Sequence, residues 1–147
     1  MESNLKNLPQ KRQLGFTLLE LLVVIAIIGT LYSVVALSVQ SSRRKSRDAK
    51  RAADIKQLAS ALEAFFPTNN TYPVQGTPAT TIPGLNNKYI GQIPTAPLPV
   101  ESGCTSANNS YIYESQNGLA YTVSFCLGGI TGDYTAGVHY LTNQGVR

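Results

Sequence analysis

A run of 24 residues, 16–39, contains a single side chain that is charged at neutral pH, that of Glu20, and this run constrains the fold more than any other feature. As a helix this run would be about 36 Å long, which is enough to span a bilayer. An ordinary secretory signal has a shorter apolar core that ends at a small-residue cleavage site, and neither property is present here. The run therefore predicts a transmembrane helix, with a simple signal anchor as the alternative.

The helical pattern does not stop at the end of this run. Residues 41–66 contain no Gly or Pro and are rich in residues that favour helices. Apolar side chains recur there every three or four positions, through Ile55, Leu58, Leu62 and Phe65. The pattern predicts one continuous helix that is apolar on all sides over residues 16–39 and amphipathic over residues 40–66. Pro67 and the turn-forming Thr68-Asn69-Asn70 are predicted to end it.

The rest of the chain changes in character. Six prolines in residues 71–103 predict that residues 67–103 form a connecting loop with only short turns or helical pieces. Alternating patterns predict strands at 111–115, 119–127 and about 136–142, with a hairpin turn at Asn117-Gly118. We therefore predict an α+β fold, in which the second half of the long helix packs against a small antiparallel sheet of about three or more strands within residues 104–147.

Few residues suggest catalysis or metal binding. The sequence contains no Ser/His/Asp order with elbow glycines, no paired carboxylates in a Gly-rich setting and no phosphate-binding loop, so an anchored enzyme is not favoured. Cys104 and Cys126 lack Cys or His neighbours, which excludes the usual metal-binding spacings, and His139 is expected to be an ordinary strand residue. We expect no metal and no cofactor. In an oxidising compartment the two cysteines would form one disulfide, and otherwise two buried free thiols.

The string Gly-Phe-Thr-Leu-Leu-Glu at residues 15–20, between a basic leader and the apolar run, resembles the N-terminus of type IV prepilins and of the pseudopilins of type II secretion. The resemblance implies that a prepilin peptidase removes the leader, residues 1–15, by cutting after Gly15 and then methylates the new amine of Phe16. It also implies that Glu20 acts in filament assembly. Its carboxylate would neutralise the amine of Phe16 in its own chain or in a neighbouring subunit.

The resemblance further implies a structural role without catalysis. The chain would be inserted as a single-pass membrane protein with a cytoplasmic leader and an extracytoplasmic C-terminal domain. It would then join like subunits in a homo-oligomeric type IV pilus at the cell surface, with the help of an inner-membrane assembly platform and an ATPase motor. The alternatives are a pseudopilin of type II secretion or of DNA uptake, and a signal-anchored extracytoplasmic protein or enzyme.

Two features bear on the choice among these alternatives. The acidic calcium-binding loop of major secretion pseudopilins has no evident counterpart, because Asp133 is the only carboxylate side chain after Glu114, and this favours a pilus subunit. A disulfide between Cys104 and Cys126 would also fit the resemblance, since many type IV pilins close a C-terminal loop in this way.

A basic stretch follows the apolar run. Residues 43–56 hold seven basic and two acidic side chains, a net charge of +5 in a chain whose total is +4. The positive-inside rule would keep this flank in the cytoplasm, but the cysteines and the resemblance favour export, which we adopt. The stretch could bind DNA phosphates, but aromatic side chains for base stacking are absent from it. We predict instead that it meets anionic lipid headgroups before assembly and lies in polar grooves between subunits afterwards.

Overall fold

The computed structural model describes residues 15–147, so the predicted leader lies outside the described residues except for Gly15. The chain forms a helix, α1 (Leu18–Asn69), followed by five strands. These are β1 (Gln75–Ala79), β2 (Ile112–Ser115), β3 (Thr122–Leu127), β4 (Gly137–Thr142) and β5 (Gly145–Val146). Two compact units are distinguished, of which the first ends at Ser38 and the second comprises Val39–Arg147.

The first part of α1 is apolar and uncovered. Every residue from 15 to 46 is exposed, and α1 contains an 18-residue window with a mean hydropathy of 2.5. By length and composition this segment can cross a membrane. Such a helix could not remain uncovered in water, because its apolar surface would be buried against a bilayer or other chains.

The end of α1 lies three residues beyond the predicted position at Phe66. Pro67 lies inside the helix, in its last turn, where the missing N–H removes a single helical hydrogen bond. The helix is ended by Asn70, whose φ of 57° is left-handed and whose N–H donates to the carbonyl of Phe66 at 2.8 Å. Asparagine is one of the few residues that adopt this conformation readily at a helix end. The helix therefore ends within the predicted terminating segment, Pro67 with Thr68-Asn69-Asn70, but it is ended by Asn70 and not by Pro67.

The five strands form one antiparallel sheet in the order β1-β2-β3-β4-β5. The β2–β3 hairpin is closed by Gly118, whose φ of 72° favours glycine. A Cβ at this position would lie 3.0 Å from the carbonyl oxygen of Tyr72. The Gly118 carbonyl in turn accepts the N–H of Tyr72 at 2.8 Å, so the hairpin is hydrogen-bonded to the segment that follows the helix.

The core lies between the second part of α1 and one face of the sheet. Ile55, Leu58 and Leu62 are at most 3% exposed and belong to the same apolar cluster as Val123 and Phe125 of β3. Phe65 is partly buried against that cluster. The α+β fold, with a helix stripe covering a small antiparallel sheet, is thus confirmed.

Strand β1 occurs in a segment that was predicted to contain no strand. β1 lies within residues 67–103, which were predicted to form a connecting loop, and it contains Pro78. A proline is tolerated there because β1 is an edge strand, so its backbone needs partners on one side only. Its pairing with β2 is also irregular between Gln75 and Ala79.

Candidate functional site

The predicted cleavage site lies just before α1. Gly15, Phe16 and Thr17 are outside the helix, and Phe16 is 84% exposed. Apart from its chain neighbours, no described residue has a heavy atom within 4 Å of a Cβ built on Gly15. Exposed, non-helical segments are the preferred sites of proteolysis. The Gly15–Phe16 peptide bond is therefore accessible to an enzyme, whereas the bonds from Leu18 onward are inside the helix.

Thr17 and Glu20 form a capping box at the start of α1. The Glu20 carboxylate accepts the backbone N–H of Thr17 at 3.2 Å and its hydroxyl at 3.1 Å. The Glu20 N–H donates in return to the Thr17 hydroxyl at 3.2 Å. This reciprocal pairing satisfies two N–H groups at the helix start, and the carboxylate also interacts favourably with the positive end of the helix dipole. Sequence reasoning missed this role, although Thr-x-x-Glu is its recognised signature.

Two polar side chains within the apolar part of α1 are hydrogen-bonded to the helix itself. The Thr30 hydroxyl donates to the carbonyl of Ile27 at 2.8 Å, and the Ser33 hydroxyl donates to the carbonyl of Thr30 at 2.7 Å. Such bonds remove the need for water, which is absent from the bilayer core. Apart from Glu20, this part of the helix presents no charge to lipid.

The basic stretch contains an internal ion network that the sequence analysis did not predict. Arg51 is 0% exposed, and its guanidinium contacts the carboxylates of Asp48 at 3.0 Å and Glu101 at 3.5 Å. It also donates hydrogen bonds to the Asn109 side chain and to the Pro97 carbonyl, each at 2.9 Å. The guanidinium therefore links α1 to two parts of the chain that follow it.

Arg47 and Gly128 complete this network. The Arg47 guanidinium pairs with Glu101, and the Asp48 carboxylate accepts the N–H of Gly128 at 3.0 Å. Burial raises the pKa of Glu101, but the hydrogen bond from Arg47 and the charges of Arg47 and Arg51 outweigh it, so the pKa is lower than that of a free glutamate. Two of the seven basic residues are thus neutralised inside the second unit, which corrects the prediction that the whole stretch faces lipid or neighbouring subunits.

Tyrosines bind the remaining carboxylates of α1. The Tyr111 hydroxyl donates to buried Asp54 at 2.8 Å, and the hydroxyls of Tyr72 and Tyr121 donate to Glu63 at 3.1 and 3.4 Å. Burial and the neighbouring carboxylates raise the pKa of all three tyrosines. These pairs satisfy polar groups beside the core.

The cysteines and the histidine have structural partners. Cys104 and Cys126 form a disulfide that closes a loop with a sequence separation of 22. His139 Nε2 lies 2.8 Å from the Thr135 carbonyl, and its ring packs against Phe125 and Tyr134. Within residues 15–147, no three His, Cys, Asp or Glu side chains are grouped in a way that could hold a metal ion.

Comparisons with known proteins identify the family. Residues 10–36 match the family model described as the prokaryotic N-terminal methylation motif. The chain is 37% identical over 103 residues to the type II secretion system core protein G of Dickeya chrysanthemi and 39% identical over 97 residues to that of Escherichia coli (strain K12). These matches cover 63% and 58% of this chain, and each covers 67% of the relative. The chain belongs to the type IV pilin-like family.

The similarity between this pilin-like chain and its relatives is partial. It is 38% identical to core protein G of Aeromonas hydrophila over 90 residues, which are 61% of this chain and 58% of that protein. The chain thus spans little more than half of that relative's length. No solved structure matches it. The predicted family is confirmed, while the roles predicted for Gly15, Phe16 and Glu20 stay predictions.

Proposed function

We propose that this pilin-like protein is a structural subunit of a pseudopilus filament, inserted in the membrane through α1, cut after Gly15 and methylated at Phe16. The observation that carries the proposal is the capped helix start at Thr17 and Glu20 directly after an exposed Gly15–Phe16 bond. This geometry falls within the segment that matches the methylation motif. It leaves the bond accessible to a prepilin peptidase and keeps the helix formed beyond it.

Assembly would use the uncovered apolar part of α1. The large apolar side chains from Leu18 to Val39 are all more than 40% exposed, so like subunits can exchange lipid contacts for contacts between helices. Cutting after Gly15 would create a positive amine one turn from Glu20. The carboxylate would then leave Thr17 to neutralise that amine, either in its own chain or in a neighbouring subunit.

The relatives favour a secretion pseudopilus over a surface pilus. The relatives described above are named core protein G of type II secretion systems. By that analogy the partners would be further copies of the chain, the prepilin peptidase, an assembly platform and an ATPase motor. The C-terminal unit would be extracytoplasmic, an orientation supported by its disulfide, because disulfides persist in oxidising compartments.

A surface pilus subunit is the second candidate. The disulfide between Cys104 and Cys126 favours it, because many type IV pilins close a C-terminal loop in this way. The two candidates share cleavage, methylation and assembly, and differ in whether the filament is displayed at the cell surface or drives secretion.

Mass spectrometry of filament protein tests the shared part. We expect an N-terminus at methylated Phe16, and an intact Met1 would refute the proposal. Glu20→Ala is expected to be cut and inserted but poorly assembled, whereas the matched control Glu114→Ala, which removes a carboxylate from β2, should assemble normally. Normal filament yield from Glu20→Ala would contradict the assembly role.

Deletion of the chain in cells that produce it separates the two filament types. A secretion pseudopilin is expected to be needed for export of extracellular proteins, while surface filaments recovered by shearing persist. A pilus subunit would give the opposite result. Cells that keep both properties would contradict the proposed function.

A further inference from the structure

Three exposed cations stand at the start of the second unit. Arg43, Arg44 and Lys45 are all exposed, in contrast to Arg47 and Arg51, which are held in the internal network. No salt bridge to a carboxylate is found for these three side chains in the part of the chain that the structure describes. They follow the apolar run, residues 16–39, by only four to six positions.

A Gly-rich loop from the sheet lies against these cations. A Cβ built on Gly129 would be 3.5 Å from Nε of Arg44, so the guanidinium runs beside the loop backbone. The neighbouring Gly128 N–H is bound to Asp48, one helical turn further along α1. The loop is thus attached to the helix at the level of the three cations, although it comes from the far end of the chain.

The tip of this loop is an isolated apolar side chain. Ile130 is 80% exposed, which makes it the most exposed large apolar residue among residues 40–147. The turn that follows is closed by paired hydrogen bonds between the backbones of Thr131 and Tyr134, at 2.9 and 3.2 Å. Ile130 is therefore presented to the surroundings by a loop that is fixed on both sides.

We propose that Arg43, Arg44, Lys45 and Ile130 form a docking surface for anionic phospholipid, which we name the headgroup surface. The cations would bind lipid phosphates while Ile130 enters the boundary between headgroups and acyl chains. A basic cluster beside an exposed apolar side chain is the composition of surfaces that lie on anionic membranes. The long side chains of Arg and Lys can reach the headgroups while their stems cover apolar surface. This inference rests on the proposed insertion of α1, which is measured separately below.

The charge balance of the loop supports a preference for anionic lipid. The loop carries one carboxylate, that of the exposed Asp133, against three cations on the helix. The headgroup surface therefore stays net positive. Each Lys or Arg near an anionic surface favours binding by about fivefold, so zwitterionic lipid should bind the surface much more weakly.

The full chain reconstituted in bilayers tests the inference. Nanodiscs of phosphatidylcholine alone are compared with nanodiscs that also contain phosphatidylglycerol, and two signals are recorded. Spin-labelled lipids report the preference of the protein for phosphatidylglycerol over phosphatidylcholine, and hydrogen exchange reports protection of the backbone around Ile130. We expect a preference of about threefold or more, together with slower exchange at Ile130 only when phosphatidylglycerol is present.

Matched variants distinguish binding at the headgroup surface from a non-specific effect of positive charge. Replacing Arg43, Arg44 and Lys45 together by Ser should reduce the lipid preference to about one and abolish the added protection at Ile130. Ile130→Ser should retain most of the preference for phosphatidylglycerol but lose the protection. Lys56→Ser removes an exposed cation about 18 Å further along α1 and should behave as the wild type.

Three outcomes would overturn the inference. A preference unchanged by the triple Ser variant would show that these cations do not bind the lipid. Protection that follows the number of protein copies per nanodisc, and not the phosphatidylglycerol content, would assign the surface to a second copy of the chain. Equal hydrogen exchange at Ile130 in both kinds of nanodisc, with no preference for phosphatidylglycerol, would exclude docking onto anionic lipid. Resistance of the protein to extraction by alkaline carbonate tests insertion of α1 independently, so failure of insertion is distinguishable from failure of docking.

Discussion

Replacing Arg51 by Met should destabilise the second unit by about 3 kcal/mol. The Met side chain preserves much of the buried volume but removes a guanidinium that contacts Asp48 at 3.0 Å and Glu101 at 3.5 Å. Breaking a buried ion pair on one side costs about 3–5 kcal/mol. We take the lower end of this range because Glu101 keeps its contact with Arg47 and Asp48 keeps the N–H of Gly128.

Urea unfolding of the full chain in detergent micelles measures this loss. The chain has eight tyrosines and no tryptophan, and several of the tyrosines are buried beside the core. Tyrosine fluorescence therefore follows unfolding of the second unit. Lys50→Met is the control, because it removes an exposed cation from the adjacent position and should change the free energy of unfolding by less than about 0.5 kcal/mol. Equal values for the two variants would refute the network argument.

A second variant shows where the destabilisation comes from. In Asp48→Asn/Arg51→Met the carboxylate left by the first substitution becomes neutral, while the side-chain carbonyl can still accept the N–H of Gly128. If the penalty arises from an uncompensated buried charge, the double variant should recover about 1 kcal/mol or more relative to Arg51→Met. No recovery would assign the loss to the hydrogen bonds that Arg51 donates to Asn109 and Pro97.

Three further predictions concern the second unit. Reducing the Cys104–Cys126 disulfide should lower its free energy of unfolding by roughly 3 kcal/mol, from the chain entropy of the closed loop, measured by urea unfolding with and without reductant. The pKa of Glu101 is lowered on folding, so the stabilisation that its carboxylate contributes is complete above the unfolded pKa of about 4.3 and is lost as the pH falls below that value. Glu101→Gln should therefore make the free energy of unfolding less dependent on pH in this acid range. Burial and Asp54 raise the pKa of Tyr111, so the stabilisation that its hydroxyl contributes is complete below about pH 10 and is lost above it. Tyr111→Phe should therefore reduce the loss of stability at alkaline pH.

The membrane segment, the helix stripe and the sheet were accessible from the sequence because each rests on a local pattern. The length of an apolar run, the recurrence of apolar side chains every three or four residues in a helix, and their alternation along a strand are all set by backbone geometry. The same helical spacing extends backwards from Ile55 to Arg51 and Asp48, which therefore lie on the buried side of α1. The pattern was present, but charged residues were assigned to the surface, as is usual for them. Their partner Glu101 is 50 residues from Arg51 in sequence, and no local signal connects the two.

The missed strand and the missed helix cap have different physical causes. Pro78 argued against a strand in general, but its effect depends on whether the strand is central or at an edge, which is known only once the sheet is assembled. Thr17 and Glu20, by contrast, carry a local signature. It was overlooked because the resemblance to prepilins already gave Glu20 another role, and the two roles do not exclude each other.

Under the proposed export of the second unit, the ion network also bears on the behaviour of the basic flank during insertion. The positive-inside rule acts on the unfolded flank during insertion, when Arg47 and Arg51 have no partners. Glu101 and Asn109 reach them only after the rest of the chain has arrived on the same side of the membrane. Once the network has formed, a return of the flank would require unfolding of the second unit, in which Arg51 is fully buried, and the disulfide adds a covalent constraint. Under the same proposal, the charges that oppose export of the unfolded chain would help to retain the folded domain on the side where it folds.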